Sequence, residues 1–91
     1  MVKLMQKQAK IVRDGLMGGA ARISGTRIRV MDVIEQKIIL GYSPEEIARA
    51  FSISLSDVHE ALAYYYSHPE EIRGEIKKHK EIVGKFRKQL S

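Results

Sequence analysis

The stretch Tyr42–Tyr66 constrains the fold more than any other part of this chain, because it carries two helix-start signals in close succession. Ser43 is a good N-cap, Pro44 fits the first helical position and Glu46 stands three residues after the cap. That is a capping box with proline at N1. Ile47, Ala48 and Phe51 then give one apolar stripe. After Ser52-Ile53 the signal repeats, with Ser54 as cap and Asp57 where a box acid would stand. Leu55, Val58, Ala61, Leu62 and Tyr65 follow at helical spacing. Two short helices joined by a tight turn are the outline of a helix-turn-helix.

Ahead of this pair, Val30 to about Leu40 reads as a further helix. Val30, Val33, Ile34 and Ile38 form its buried stripe, and Gly41 is placed as the C′ residue. Earlier still, Lys10-Ile11-Val12 is a candidate strand. Ala21-Arg22-Ile23 and Thr26-Arg27-Ile28 flank a Ser24-Gly25 link that suggests a hairpin, although a longer turn also fits. In that hairpin Ile23 and Ile28 share one face and the arginines the other. His68-Pro69 ends the third helix, and Pro69-Glu70-Glu71 opens a fourth, with acids at the positive end of the dipole. In the fourth helix Ile72, Ile76, His79, Val83, Phe86 and Leu90 form an a/d seam about three heptads long. Gly74 and Gly84 each cost about 1 kcal/mol relative to alanine, so this helix needs something to pack on.

The expected fold is therefore mainly α. A helix-turn-helix core of three helices, homeodomain-like or winged-helix-like, follows a short N-terminal β element and precedes a long C-terminal helix. Residues 1–9 are expected to be a flexible terminus, 10–68 the core and 69–91 a helical arm. With 91 residues there is room for one domain and little room for an enclosed active site. Without cysteine there is no disulfide, thiolate zinc site or thiol nucleophile. The first ten residues lack the apolar run of a signal peptide, and no segment approaches the ~20 apolar residues of a membrane span. A cytoplasmic location away from membranes is expected.

Charge is zoned. Residues 1–29 hold seven basic groups against one acid, net +6; residues 30–71 hold two against eight, net −6; residues 72–91 hold seven against two, net +5. Such asymmetry reports on partners and not on fold. Catalysis finds no support. His59, His68 and His79 are separated by nine and eleven residues, without an HxxxH pair, carboxylate cluster or nucleophile–base set. No metal or cofactor is expected.

A DNA-reading helix should offer basic or amide side chains to base edges. Here the third helix offers Ser54, Ser56 and His59, beside the unfavourable Asp57 and Glu60. Arg22, Arg27 and Arg29 could instead grip phosphates or enter a minor groove, or simply form a solvated hairpin face. Tyr64, Tyr65 and Tyr66 span about 200° of helix. Tyr65 should face the core; Tyr64 and Tyr66 flank it as interface candidates, unless they roof the bundle where the fourth helix docks.

These residues resemble the domain-of-unknown-function family 433. The blocks that carry the resemblance are Ile11-Val12-Arg13-Asp14, Gly18-Gly19, Arg22-Ile23-Ser24-Gly25-Thr26-Arg27-Ile28 and Val30, then Gly41 to Ile47, Leu55 to Val58, Ala61 to Tyr65 and His68 to Ile72. Ala20-Ala21 and Arg29 depart from the lysine-proline and the proline common in that family. The resemblance implies a small helix-turn-helix protein of the kind regarded as VapB-like antitoxins, encoded beside a PIN-like ribonuclease toxin. On it rests the expected function, a type II antitoxin. The toxin or a second copy would be held through Tyr64, Tyr66, Ile72, Ile76, His79, Val83, Phe86 and Leu90. Operator DNA would be a second ligand. The alternatives are a stand-alone DNA-binding regulator and a structural homodimer.

Overall fold

A computed structural model describes residues 10–90. The terminus 1–9, expected to be flexible, and the side chain of Leu90 lie outside the described residues. The element order is β1 (Ile11–Val12), a 3-10 turn (Leu16–Gly19), β2 (Arg22–Ile23), α1 (Val30–Ile34) running into a π-helical segment (Glu35–Ile39), α2 (Pro44–Phe51), α3 (Leu55–Ser67) and α4 (Pro69–Leu90). The protein is mainly helical, with one two-stranded antiparallel sheet.

The sheet differs from the expected hairpin. β2 pairs with β1, Ile11 opposite Ile23 and Val12 opposite Arg22. The Ser-Gly link does form a tight turn, closed by Thr26 N–H to Ile23 O at 3.0 Å, with Gly25 at φ 80°. A positive φ at the third turn position is what glycine supplies without steric cost. Beyond the turn the two arms of the expected hairpin pair briefly, through Ile23 N–H to Ile28 O and Val30 N–H to Ala21 O, each at 2.9 Å, around the Arg22–Arg29 bridge. The chain must leave the ribbon there to start α1 at Val30.

The caps form as the sequence implies. Ser43 Oγ accepts from Glu46 N–H at 3.1 Å and Glu46 Oε1 accepts from Ser43 N–H at 2.8 Å. Ser54 Oγ accepts from Asp57 N–H at 3.0 Å, but the Asp57 carboxylate turns away to Lys10 Nζ at 3.2 Å, so the second box is only half made.

Ala21, Ile23, Val30, Met31, Val33, Ile34, Ile47, Val58, Ala61, Leu62, Tyr65 and Ile72 form one core, drawn from the sheet and all four helices. α3 is its axis: α1 and α2 pack against it, and α4 lies across α1 and α3. The expected stripe of the first helix fails at one residue. Ile38 is 60% exposed. Uniform α geometry places it on the Val30–Ile34 face, but the turn widens after Ile34 and Leu40 N–H reaches back five residues to Glu35 O at 3.3 Å. The wider turn rotates Ile38 out of register, and Met31 is buried instead.

Candidate partner-binding surface

Three groups of side chains were singled out by sequence, and the fold separates them. The arginines lie at the N-terminal sheet. Arg22 is buried, 8% exposed, which corrects the expectation that the three arginines share a solvated face. Its Nη2 donates to Asp14 Oδ2 at 2.7 Å and its Nη1 to Thr26 O at 2.9 Å, while its Nε has no partner among the described residues. Arg22 pairs opposite Val12, and Asp14, two residues beyond Val12, supplies the countercharge. The same contact holds the Asp14 carboxyl below its ordinary range, helped by Leu16 N–H at 3.0 Å.

Arg29 is also engaged. Its N–H and Nε donate to Asp32 Oδ2 at 2.9 and 3.1 Å, and its Nη2 to Oδ1 at 2.9 Å. The carboxylate thus caps the start of α1 from inside the helix. A proline at this position would have no N–H to give. Of the three arginines, Arg27 alone is exposed.

Ser54, Ser56 and His59 are exposed at the N-terminal half of α3, and Glu60 beside them is exposed too. Lys10, a cation beside them, is paired with Asp57 at 3.2 Å. Tyr65 is buried, as its spacing requires. Tyr64 is the tyrosine that roofs the bundle. It stacks on His68 with centroids 4.3 Å apart, and its hydroxyl donates to Glu71 Oε1 at 3.2 Å. Tyr66 is 67% exposed and belongs to the surface.

Arg13 was not among the candidate site residues, and it ties these parts together. Its Nη2 donates to Glu71 Oε1 at 2.8 Å and to the Tyr64 hydroxyl at 3.5 Å; its Nη1 donates to Glu75 Oε2 at 2.7 Å and to Gly19 O at 2.8 Å. Hydrogen bonds to Tyr64 and Glu75, with the Glu75 charge beside them, push the guanidinium above its already high ordinary pKa. The residues that could have revealed this node, Glu71 and Glu75, are about sixty positions away in sequence. Their spacing of four on α4 was the available signal, since it puts both carboxylates on one face. Arg13, Gly18, Gly19, Glu75, Lys78 and His79 line part of a cleft of about 440 Å³. The second oxygen of Glu75 is buried without a partner among the described residues.

The seam of α4 divides. Ile72 is fully buried, Ile76 packs partly against the core, and His79 and Val83 are half-buried. Phe86 is 60% exposed and Ile82, beside the seam, 48%. The helix therefore docks with its first half and projects with its second. The molecule measures 60 × 28 × 22 Å along its principal axes.

Residues 11–65 match the sequence profile described as "Protein of unknown function (DUF433)". The chain belongs to the DUF433 family. Its fold is similar to the crystal structure, at 2.00 Å resolution, of a DUF433 member protein from Anabaena variabilis ATCC 29413. The TM-score is 0.70 and the identity 32%, over 77% of this chain and 70% of that one. No curated protein matches the chain. The DUF433 match ends within α3, so the projecting half of α4 lies beyond the part of the chain that defines the family. Among the described residues no group of three or more His, Asp or Glu is placed to hold a metal ion. No described helix is long and apolar enough to cross a membrane.

Proposed function

We propose that this protein is the antitoxin of a type II toxin–antitoxin pair and binds a PIN-like ribonuclease through α4. The observation that carries the reading is the second half of α4, which leaves the core with Ile82 and Phe86 exposed. A helix laying an apolar strip into a partner's groove is a recurrent recognition mode. Lys78 and Lys85, four residues before and three after Ile82, flank that strip on the same helix. A PIN-like active site needs carboxylates to hold divalent metal, so basic flanks complement it in charge. Co-expression of the full chain with a PIN-like ribonuclease encoded beside it should give a complex that co-purifies. Substituting both Ile82 and Phe86 by alanine should weaken it at least about tenfold. Absence of co-purification with the unaltered chain rejects the reading.

The alternative, duplex DNA binding, is favoured by one observation. α2 has eight residues, α3 thirteen, and the turn Ser52–Ser54 between them is the length a DNA-binding helix-turn-helix uses. Ser54, Ser56 and His59 are exposed on this pair, but the phosphate contacts would fall to Arg27 and Arg49, because Arg22 and Arg29 are held internally. Affinity should fall steeply with salt and should drop on Arg27→Ala. An unchanged salt slope in that variant removes Arg27 from the contact.

A further inference from the structure

The π-helical segment and the turn after it expose large apolar or aromatic side chains at four of five consecutive positions: Ile38 60%, Ile39 58%, Leu40 54% and Tyr42 41% exposed, with Gly41 between. Contiguous apolar surface of this kind is rare on a monomer and marks an interaction site. α4 carries a second apolar surface, Ile82 and Phe86, on its projecting half. We infer that in the free chain the two surfaces cover each other between copies, in a two-fold dimer that exchanges its α4 arms, so that a second copy and the ribonuclease of the antitoxin reading compete for Ile82 and Phe86.

Two observations and a symmetry argument select a second copy as the occupant. Charge is complementary within the chain itself: the segment 30–71 that bears the Ile38–Tyr42 surface is net −6, and the segment 72–91 that bears the arm is net +5. The match is already visible locally. Glu35, at the start of the π-helical segment, lines an open groove of about 380 Å³ with Lys80, Val83, Gly84 and Arg87 of α4. The arm has the reach to meet a second copy, since α4 is a single helix of 22 residues, about 33 Å long. Finally, a two-fold axis makes each arm-to-surface contact twice. A strip of two or three apolar residues, weak alone, then acts in duplicate. The arm gains the packing that a helix with Gly74 and Gly84 lacks in isolation.

The absence of cysteine makes the test clean. Full-length Ile39→Cys and Phe86→Cys are purified separately, one with a mass tag, then mixed, allowed to exchange subunits and oxidised. Both positions are exposed, so neither change threatens the fold. The expected product is a disulfide joining the two variants, in excess of the disulfide that either forms alone. Sedimentation of the unaltered chain should show a dimer, and Ile39→Lys should raise its dissociation constant at least about tenfold with an unchanged circular dichroism spectrum. A product dominated by Phe86–Phe86 linkage points to an arm-to-arm seam and overturns the inference. So does Ile39–Ile39 linkage, or a monomer at tens of micromolar. Failure of the ribonuclease to co-purify bears on the antitoxin reading and leaves these readouts unaffected.

Discussion

Ser52 is the one non-glycine residue with a positive φ among those described, at φ 57° and ψ 45°. It ends α2 in the left-handed conformation, with its N–H directed to Ala48 O and Arg49 O. That conformation costs an L-residue about 1–2 kcal/mol, while glycine adopts it freely at an entropic cost of about 0.5–1 kcal/mol. Ser52→Gly should therefore stabilise the protein by about 0.5–1 kcal/mol, read as a melting temperature higher by several degrees. No change in melting temperature would show that the serine side chain compensates the strain. Asp14 gives a prediction in pH. Arg22 holds its carboxyl below the ordinary range, so the folded pKa is lower than the unfolded one. The resulting stability is complete above the unfolded value of about 3.9 and is lost as pH falls through the lowered folded value. Asp14→Asn removes this contribution. Urea midpoints of the variant should thus fall below those of the parent at neutral pH and converge with them in acid.

At the scale of elements, α4 is one helix by hydrogen bonding and two by energetics. Ile72 is fully buried, so Ile72→Ala should cost about 2–5 kcal/mol. Phe86 occupies the same seam and is 60% exposed, so Phe86→Ala should change fold stability by less than about 0.5 kcal/mol at low protein concentration. Chemical denaturation of the two variants checks the contrast; equal costs would mean that the distal seam is packed. The seam's heptad spacing was readable in the sequence, but spacing names a face and not what covers it. The same limit explains Ile38. A regular helix from Val30 to Leu40 was the economical reading of Val30, Val33, Ile34 and Ile38. The widening after Ile34 leaves no mark in the apolar pattern, because the three isoleucines and leucine from Ile34 to Leu40 satisfy either geometry. Caps were legible for the opposite reason. Ser43-Pro44 and Glu46 act within one turn, so local sequence contains the whole interaction. Gly84 offers a separate check on the arm. A Cβ there meets nothing within 4 Å. Gly84→Ala should strengthen the distal helix by about 1 kcal/mol, seen as slower amide exchange beyond Lys80.

Across the whole molecule, Arg13 is where the sheet, the glycine loop, α3 and α4 meet. Its guanidinium spans Gly19 O, Tyr64, Glu71 and Glu75, partners that the chain brings from as far as 62 residues away. The sequence placed Arg13 in a family-like block without a role, because contacts of that range have no local signature. An exposed ion pair contributes only ~0–1 kcal/mol, and the Arg13 side chain is 40% exposed. The network is worth more than one such pair for two reasons. The fork geometry engages two carboxylates at once, and Glu75 is only 18% exposed, so its charge is partly shielded from solvent. Arg13→Ala would leave Glu75 half-buried without its cation. We expect a loss of about 1–2 kcal/mol, a melting temperature lower by roughly 5–10 °C, and faster amide exchange concentrated in Glu71–His79 while α2 is unaffected. Arg13→Lys keeps the charge and loses the fork, so it should recover less than half of the loss. If lysine restores the parent's stability in full, the node acts as a point charge. The docking of α4 would then owe more to Ile72 and Ile76 than to the hydrogen bonds that surround them.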